Sequence, residues 1–261
     1  MRIALALEYD GSAFCGWQSQ PTGCGVQNAL ERALSDVAAE PVTVAAAGRT
    51  DAGVHALSQV VHFDSDATRP ETAWVRGVNA LLPPPVAVLW ARQVADDFHA
   101  RFAATARHYT YLLMTRRARP ALYARHVGWY HHALDVGAMR DAAAALVGTH
   151  DFSAFRAAEC QAKSPVKTLA RLAIETDDNL VRVDFSADAF LHHMVRNIVG
   201  SLVYVGAGRQ PPAWIADLLA ARDRTRAAPT FAAEGLYLCG ADYDARFDLP
   251  RTRRDVGLTL R

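Results

Sequence analysis

Apolar and polar positions alternate from the first residues of the chain. Ile3, Leu5, Leu7 and Tyr9 alternate with Arg2, Ala4, Ala6 and Glu8, a period of two that predicts a strand. The period then changes: Val26, Leu30, Ala33, Leu34 and Val37 fall on one face of a helix. Two strand-like stretches follow, "PVTVAAAG" and "LSQVVHFD". Thr68 and Glu71 have capping-box spacing ahead of a helix lined by Trp74, Val78, Leu81 and Leu82, and Pro83, Pro84 and Pro85 end it. "VAVLWARQV" is a further strand, so the first half reads β-α-β-β-α-β.

The second half repeats this order loosely. "RHYTYLLMT" predicts a strand, and Asp135 caps a helix carrying Val136, Met139, Ala143 and Leu146 inside, which Gly148 ends. "KTLARLAIET" and "NLVRVDFSA" predict a hairpin across Asp177-Asp178-Asn179. A strongly apolar helix is expected from about Phe190 to Val205, and a short one after Pro211 or Pro212 with Trp214 and Leu218 inside. "GLYLCGADY" closes the set as a strand. Each half has the order of a ferredoxin-like split βαβ unit. The expected fold class is α+β: two ferredoxin-like (β-α-β-β-α-β) halves forming one broad, mostly antiparallel sheet with helices on one face. The expected division is 1–104, 105–245 and a basic C-terminal tail over 246–261, with no flexible linker between the halves.

Composition narrows the class. With 51% apolar and 21% charged residues, the 261-residue chain has the balance of a soluble globular protein. No apolar run approaches the roughly 20 residues that span a bilayer. The N-terminus lacks the apolar block and cleavage site of a signal peptide, so a cytoplasmic protein without membrane association is expected. Cys15, Cys24, Cys160 and Cys239 form no CxxC pair and have no His at metal-ligand spacing. They are expected as four unlinked thiols in a reducing compartment, with no metal site.

The net charge of +1 hides an uneven distribution. From Phe98 to Leu134 the chain holds no Asp or Glu, but six arginines, among them Arg101, Arg107 and Arg116, and five histidines. Phe98, Phe102, Tyr109, Tyr111, Tyr123, Trp129 and Tyr130 are interleaved with them. Arginine matches phosphate geometry, and aromatic rings supply flat faces for unstacked bases, so this window is the expected footprint of a nucleic-acid binder. A solvated face with core aromatics is the plainer alternative.

"GRTDAG", Gly48 to Gly53, places Arg49 and Asp51 in a turn between two glycines. Asp is also a common turn former, so spacing alone leaves Asp51 either structural or catalytic. In "FLHHMVRNIVG", Leu191, Val195, Ile198 and Leu202 make a buried stripe with Arg196 at its edge. An arginine partly removed from water needs an anionic partner, and Asp51 is one candidate; the pairing would keep that carboxylate ionised. His192 and His193, adjacent on a helix, read as surface or packing residues rather than metal ligands.

"GRTDAGVHA", "ARHYTYLL", "FLHHMVRNIVGSL" and "AEGLYL", in this order, resemble the tRNA pseudouridine synthase A family. The resemblance runs from "LALEYDGSAFCGWQSQP" to about Tyr243. It is to the branch that acts on tRNA positions 38, 39 and 40 in the anticodon stem-loop. It implies isomerisation of uridine to pseudouridine without cofactor or metal, with tRNA as partner and a homodimer as the working form. It implies Asp51 as the catalytic aspartate, Arg196 as its partner, and Tyr109 as the ring that stacks on the target base. Arg49 would help hold the target nucleotide out of the helix, and Leu238 would wall the pocket. Ala232 stands where the family often has a proline, which removes a stiff residue from that loop.

The residues agree with that chemistry. No phosphate-binding glycine loop of P-loop or Rossmann type is present. One ionised carboxylate suits attack on C1′ or on C6 of the base, and a stem uridine must first be flipped out. The competing reading is a non-catalytic RNA-binding module, which would not need Asp51. A nucleoside glycosidase ranks last, because that chemistry usually takes two carboxylates and the motif holds one.

Overall fold

The alternation at the N-terminus is strand β1 (Arg2–Tyr9) in the computed structural model, which describes residues 1–257. The fold class is α+β, with ten strands and five α-helices among the described residues. Two compact units are formed, one from Met1–Ala106 with Tyr237–Val256 and the other from Arg107–Leu236. The closing strand, expected in the second half, thus belongs almost wholly to the first unit. Its early residues pair with a strand there.

In the first unit β1 lies between β3 (His55–Asp64) and β4 (Val86–Val94), antiparallel to both. The short β2 (Ala45–Ala46) and the start of β10 (Leu236–Tyr243) lie along β3, antiparallel and parallel respectively. Helix α1 (Val26–Ala38) follows β1, and α2 (Val78–Leu81), preceded by a π-helical stretch over Ala73–Gly77, precedes β4. This is the β-α-β-β-α-β order expected. Glu71 does not complete a capping box: its carboxylate accepts the Gln93 amide at 3.4 Å.

Both faces of β1 are buried. On one, Ile3 pairs with Phe63, whose ring meets Trp74 edge-on at 5.2 Å between centroids. On the other, Ala4 and Ala6 pair with His62 and Val60 and share a core with Phe98 and Phe247. The small alanines leave room for those rings. Phe247 and Val256, from the segment expected as a tail, are both buried. Residues 258–261 of that segment lie outside the described residues.

In the second unit β5 (Ala104–Thr115) pairs antiparallel with β9 (Leu180–Ala187), β9 with β8 (Val166–Asp177), and β8 with β7 (Gly148–Asp151). β6 (Gly128–Tyr130) runs parallel beside β5. The expected hairpin is present: Asp177 pairs with Leu180 across Asp178, which takes φ of 51°. Asp135 caps α3 (Val136–Ala144), accepting the Ala138 amide at 2.9 Å. That helix stops before Gly148, which opens β7 instead of closing the helix.

α4 (Met194–Gly206) starts later than the apolar pattern indicates. His193 is left-handed at φ 61°, and the His192 carbonyl accepts the Ala157 amide at 3.0 Å. Leu191 to His193 are therefore a turn, and the His192 and His193 rings lie 4.0 Å apart before the helix rather than on it. α5 (Trp214–Ala221) buries Ile215 and Leu218, while Trp214 stacks on Tyr204 at 6.2 Å. Among the described residues no helix is long and apolar enough to cross a membrane.

Candidate functional site

The turn carrying Asp51 is held at several points of its backbone and by one buried side chain. Ala47 donates its amide to Val60 at 2.8 Å, and the Gln59 amide group donates to the Gly48 carbonyl at 2.6 Å. The Thr50 carbonyl accepts the Trp17 amide at 2.9 Å, and the Thr50 hydroxyl lies 2.8 Å from the Tyr9 hydroxyl. The Asp51 carbonyl accepts the Val54 amide at 3.1 Å, closing the turn through Gly53 at φ 81°. Thr50 is buried, Asp51 half-buried and Arg49 exposed. A rigid peptide thus presents a carboxylate and a guanidinium on either side of an anchored threonine.

The segment Gly11–Trp17 is pressed against this turn. A Cβ on Gly11 would fall 1.9 Å from the Val54 carbonyl oxygen, and one on Gly16, at φ 98°, 2.9 Å from that of Thr50. Only glycine fits either place. The Gly16 and Trp17 carbonyls also accept the amides of Val26 and Gln27, at 3.1 and 3.0 Å, two donors that the first turn of α1 cannot satisfy within the helix. Cys15 and Cys24 close the segment as a disulfide, with Cα atoms 5.4 Å apart. This corrects the expectation of four unlinked thiols: the backbone bond from the Cys15 amide to the Cys24 carbonyl, at 3.0 Å, brings the two together. Cys160 and Cys239 are buried free thiols.

His55, at the start of β3, is buried with its Nδ1 3.2 Å from the Gly11 amide and 3.1 Å from an Asp10 carboxylate oxygen. Nδ1 accepts from Gly11 when unprotonated and can donate to Asp10 only when protonated. Its ring stacks on Tyr237 at 4.7 Å. Burial, and then the charge of Asp10, push the Tyr237 phenol well above its ordinary range, so it stays neutral. The neighbouring Leu238 pairs with Ala56 and is almost completely buried.

In the second unit, Tyr109 is half-buried on β5 with its ring edge-on to Phe190 at 5.0 Å. Arg196, half-buried on α4, donates from Nε to the Phe231 carbonyl at 2.8 Å, and its own carbonyl accepts the Phe231 amide at 3.2 Å. Its neighbour Asn197, fully buried, donates to the Phe155 carbonyl at 2.8 Å. The Asn197 side-chain oxygen accepts from Thr230 at 2.7 Å and from Arg224 at 3.0 Å. The Ala232 carbonyl accepts the Tyr111 hydroxyl at 2.8 Å, and the Gly235 carbonyl accepts the Leu112 amide at 2.8 Å. The loop ahead of β10 is therefore pinned along its length, and Ala232 needs no proline ring to hold it.

The basic window divides by burial. Phe98 and Tyr111 are core residues, so their faces are closed to bases. Phe102, Arg101, Arg117, Arg119 and Arg125 are exposed. Arg107 donates to the Asp188 carbonyl at 2.8 Å and Arg116 to the Ala118 carbonyl at 3.0 Å, so both guanidinia also shape local backbone. Tyr9, Trp17, Gln59 and Asn197 were missed as supporting residues. "EYDGSAFCGW" held the signal for the first two: two glycines close together beside large aromatics mark a loop that touches other backbone.

Residues 5–103 and 142–244 match the family model described as tRNA pseudouridine synthase. The chain is 64% identical to the tRNA pseudouridine synthase A of Chromobacterium violaceum over 262 residues, covering all of both chains. It is 62% identical to that of Thiobacillus denitrificans, over 97% of each chain. Against that of Nitrosomonas eutropha it is 58% identical, over 96% of this chain and 90% of the relative.

Proposed function

Since this chain belongs to the tRNA pseudouridine synthase family, and so is an isomerase that converts uridine in tRNA to pseudouridine, we propose that Asp51 is its nucleophile and that its targets are positions 38, 39 and 40 of the anticodon stem-loop. The observation that carries the first part is the seating of Asp51. A half-buried carboxylate on a turn anchored through Thr50, Trp17 and Gln59 costs little reorganisation when the reaction begins. Family membership decides against a non-catalytic module.

In this reading a stem uridine is extruded at a cost of a few kcal/mol. The bond from N1 to C1′ breaks, the uracil turns, and a bond from C5 to C1′ forms. The proton on C5 leaves and N1 gains one, so no electrons are exchanged with an outside partner. Asp51 forms the transient covalent bond, at C1′ or at C6. Arg49, exposed beside it, is the residue that holds the extruded nucleotide out of the stem, and Leu238 excludes water. Tyr109 and Arg196 enter by the family pattern, as a base-stacking ring and a required cation. Arg101, Arg107 and Arg116 contact phosphates. The working form is a cytoplasmic homodimer gripping one tRNA, which light scattering with and without tRNA tests.

The chemistry is tested with tRNA tritiated at C5 of uridine. Tritium enters water with the native chain and does not with Asp51→Ala or Asp51→Asn. Release by either variant removes Asp51 from the reaction. Mapping of pseudouridine in the product tRNA checks the three positions, and modification elsewhere overturns the assignment of target.

A further inference from the structure

Phe102 is the single exposed Phe, Tyr or Trp among the described residues, with 76% of its surface open to solvent. Its setting is rigid. Phe98 is fully buried, and its carbonyl accepts from Arg2 at 2.9 Å. Ala100, also buried, donates its amide to Nδ1 of His62 at 3.2 Å and takes the Tyr243 hydroxyl on its carbonyl at 2.7 Å. His99 then accepts the amides of both Arg101 and Phe102 on Nδ1, at 3.1 and 3.3 Å, and its ring lies 4.3 Å from that of Phe102. The Arg101 guanidinium sits 5.6 Å from the centre of the same ring.

A large apolar ring is usually left in water on a soft loop or buried on a firm one. Here a firm pedestal holds it out, with a cation beside it, inside a stretch of 37 residues free of acids. Every nucleobase offers a flat π face, and a neighbouring arginine meets its phosphate. We propose that Phe102 is a stacking platform for an unpaired base of the tRNA, with Arg101 on the adjoining phosphate. This rests on tRNA as the substrate and not on the role of Asp51.

The test uses the full chain carrying Asp51→Ala, so that binding is read without turnover. Dissociation constants for tRNA are measured over a series of salt concentrations with Phe102 intact and with Phe102→Ala, Phe102→Leu and Phe102→Trp. Loss of one base–aromatic stack weakens binding roughly 10- to 100-fold, so Ala and Leu both fall in that range. Trp stays within about two-fold, because it keeps a flat face. The salt slope is unchanged in all three, whereas Arg101→Ala flattens it by about one unit. Binding by the Leu variant equal to the parent overturns the proposal, as does an Ala variant within two-fold or with an altered slope. A change in the sedimentation of the tRNA-free Ala variant also overturns it, since the ring would then serve contact with a second copy of the chain.

Discussion

The hydroxyl of Tyr9 lies 2.8 Å from that of Thr50, in the core and one residue before Asp51. The two are 41 residues apart in sequence, and their bond ties the end of β1 to the turn between β2 and β3. Removing one partner leaves a buried hydroxyl with a bond to replace, at a cost of about 1–3 kcal/mol. Tyr9→Phe and Thr50→Val should each lower the melting midpoint by roughly 2–10 °C. Both should slow tritium release at saturating tRNA while leaving tRNA affinity close to native. Thr50→Ser should restore both, and the double variant Tyr9→Phe with Thr50→Val should lose less than the sum. Strict additivity would show that the bond contributes nothing.

Stability in mild acid should depend on His62. Burial, then the charges of His99 and Arg2, lower its pKa in the fold from 6.5 to about 4. As pH falls below 6.5 the unfolded chain takes up this proton while the folded chain does not. The contribution is therefore whole above pH 6.5 and is lost on descent toward pH 4, by about 3 kcal/mol in all. His62→Asn keeps an acceptor for the Ala100 amide without titrating. Chemical denaturation from pH 7 to 4.5 should show a shallower decline for this variant, and parallel curves would discard the assignment.

Asn197→Ala strips partners from the Phe155 carbonyl, Thr230 and Arg224 together. The expected loss is about 2–4 kcal/mol. Amide exchange should quicken over residues 224–232, because that segment hangs on this side chain. Unchanged exchange there would mean that the bonds from Arg196 to Phe231 and from Tyr111 to Ala232 hold the segment without Asn197.

The Cys15–Cys24 bridge predicts a labelling pattern. Alkylation of the unfolded chain without reductant should mark Cys160 and Cys239 only, and reduction should expose the other pair. The bridge joins cysteines 9 apart in sequence, so reduction should cost about 2–3 kcal/mol, read as a lower melting midpoint. Labelling of all four without reductant would refute the bridge.

Much of this architecture was legible in hydrophobic spacing. The β-α-β-β-α-β order of the first unit, the Asp177–Leu180 hairpin and the Asp135 cap all depend on contacts within a few residues. Features set by distant partners were not. Ala4 and Ala6 conceal a second packed layer because the rings that fill it come from Phe98 and Phe247. α4 begins at Met194 because the Ala157 amide claims the His192 carbonyl from far along the chain. Asp51 was visible as a residue, but its anchorage was not, since Tyr9, Trp17 and Gln59 reach it from two separate strands and a loop.

The peptide from Gly16 to Trp17 serves two masters. Its carbonyls receive the opening amides of α1, while its other side abuts Thr50. A substitution that tilts α1, even on its outer surface, is therefore transmitted within two peptide units to Asp51. Engineering of that helix for solubility or affinity should be screened first by turnover, because a variant can melt normally and still have moved Asp51, the proposed nucleophile.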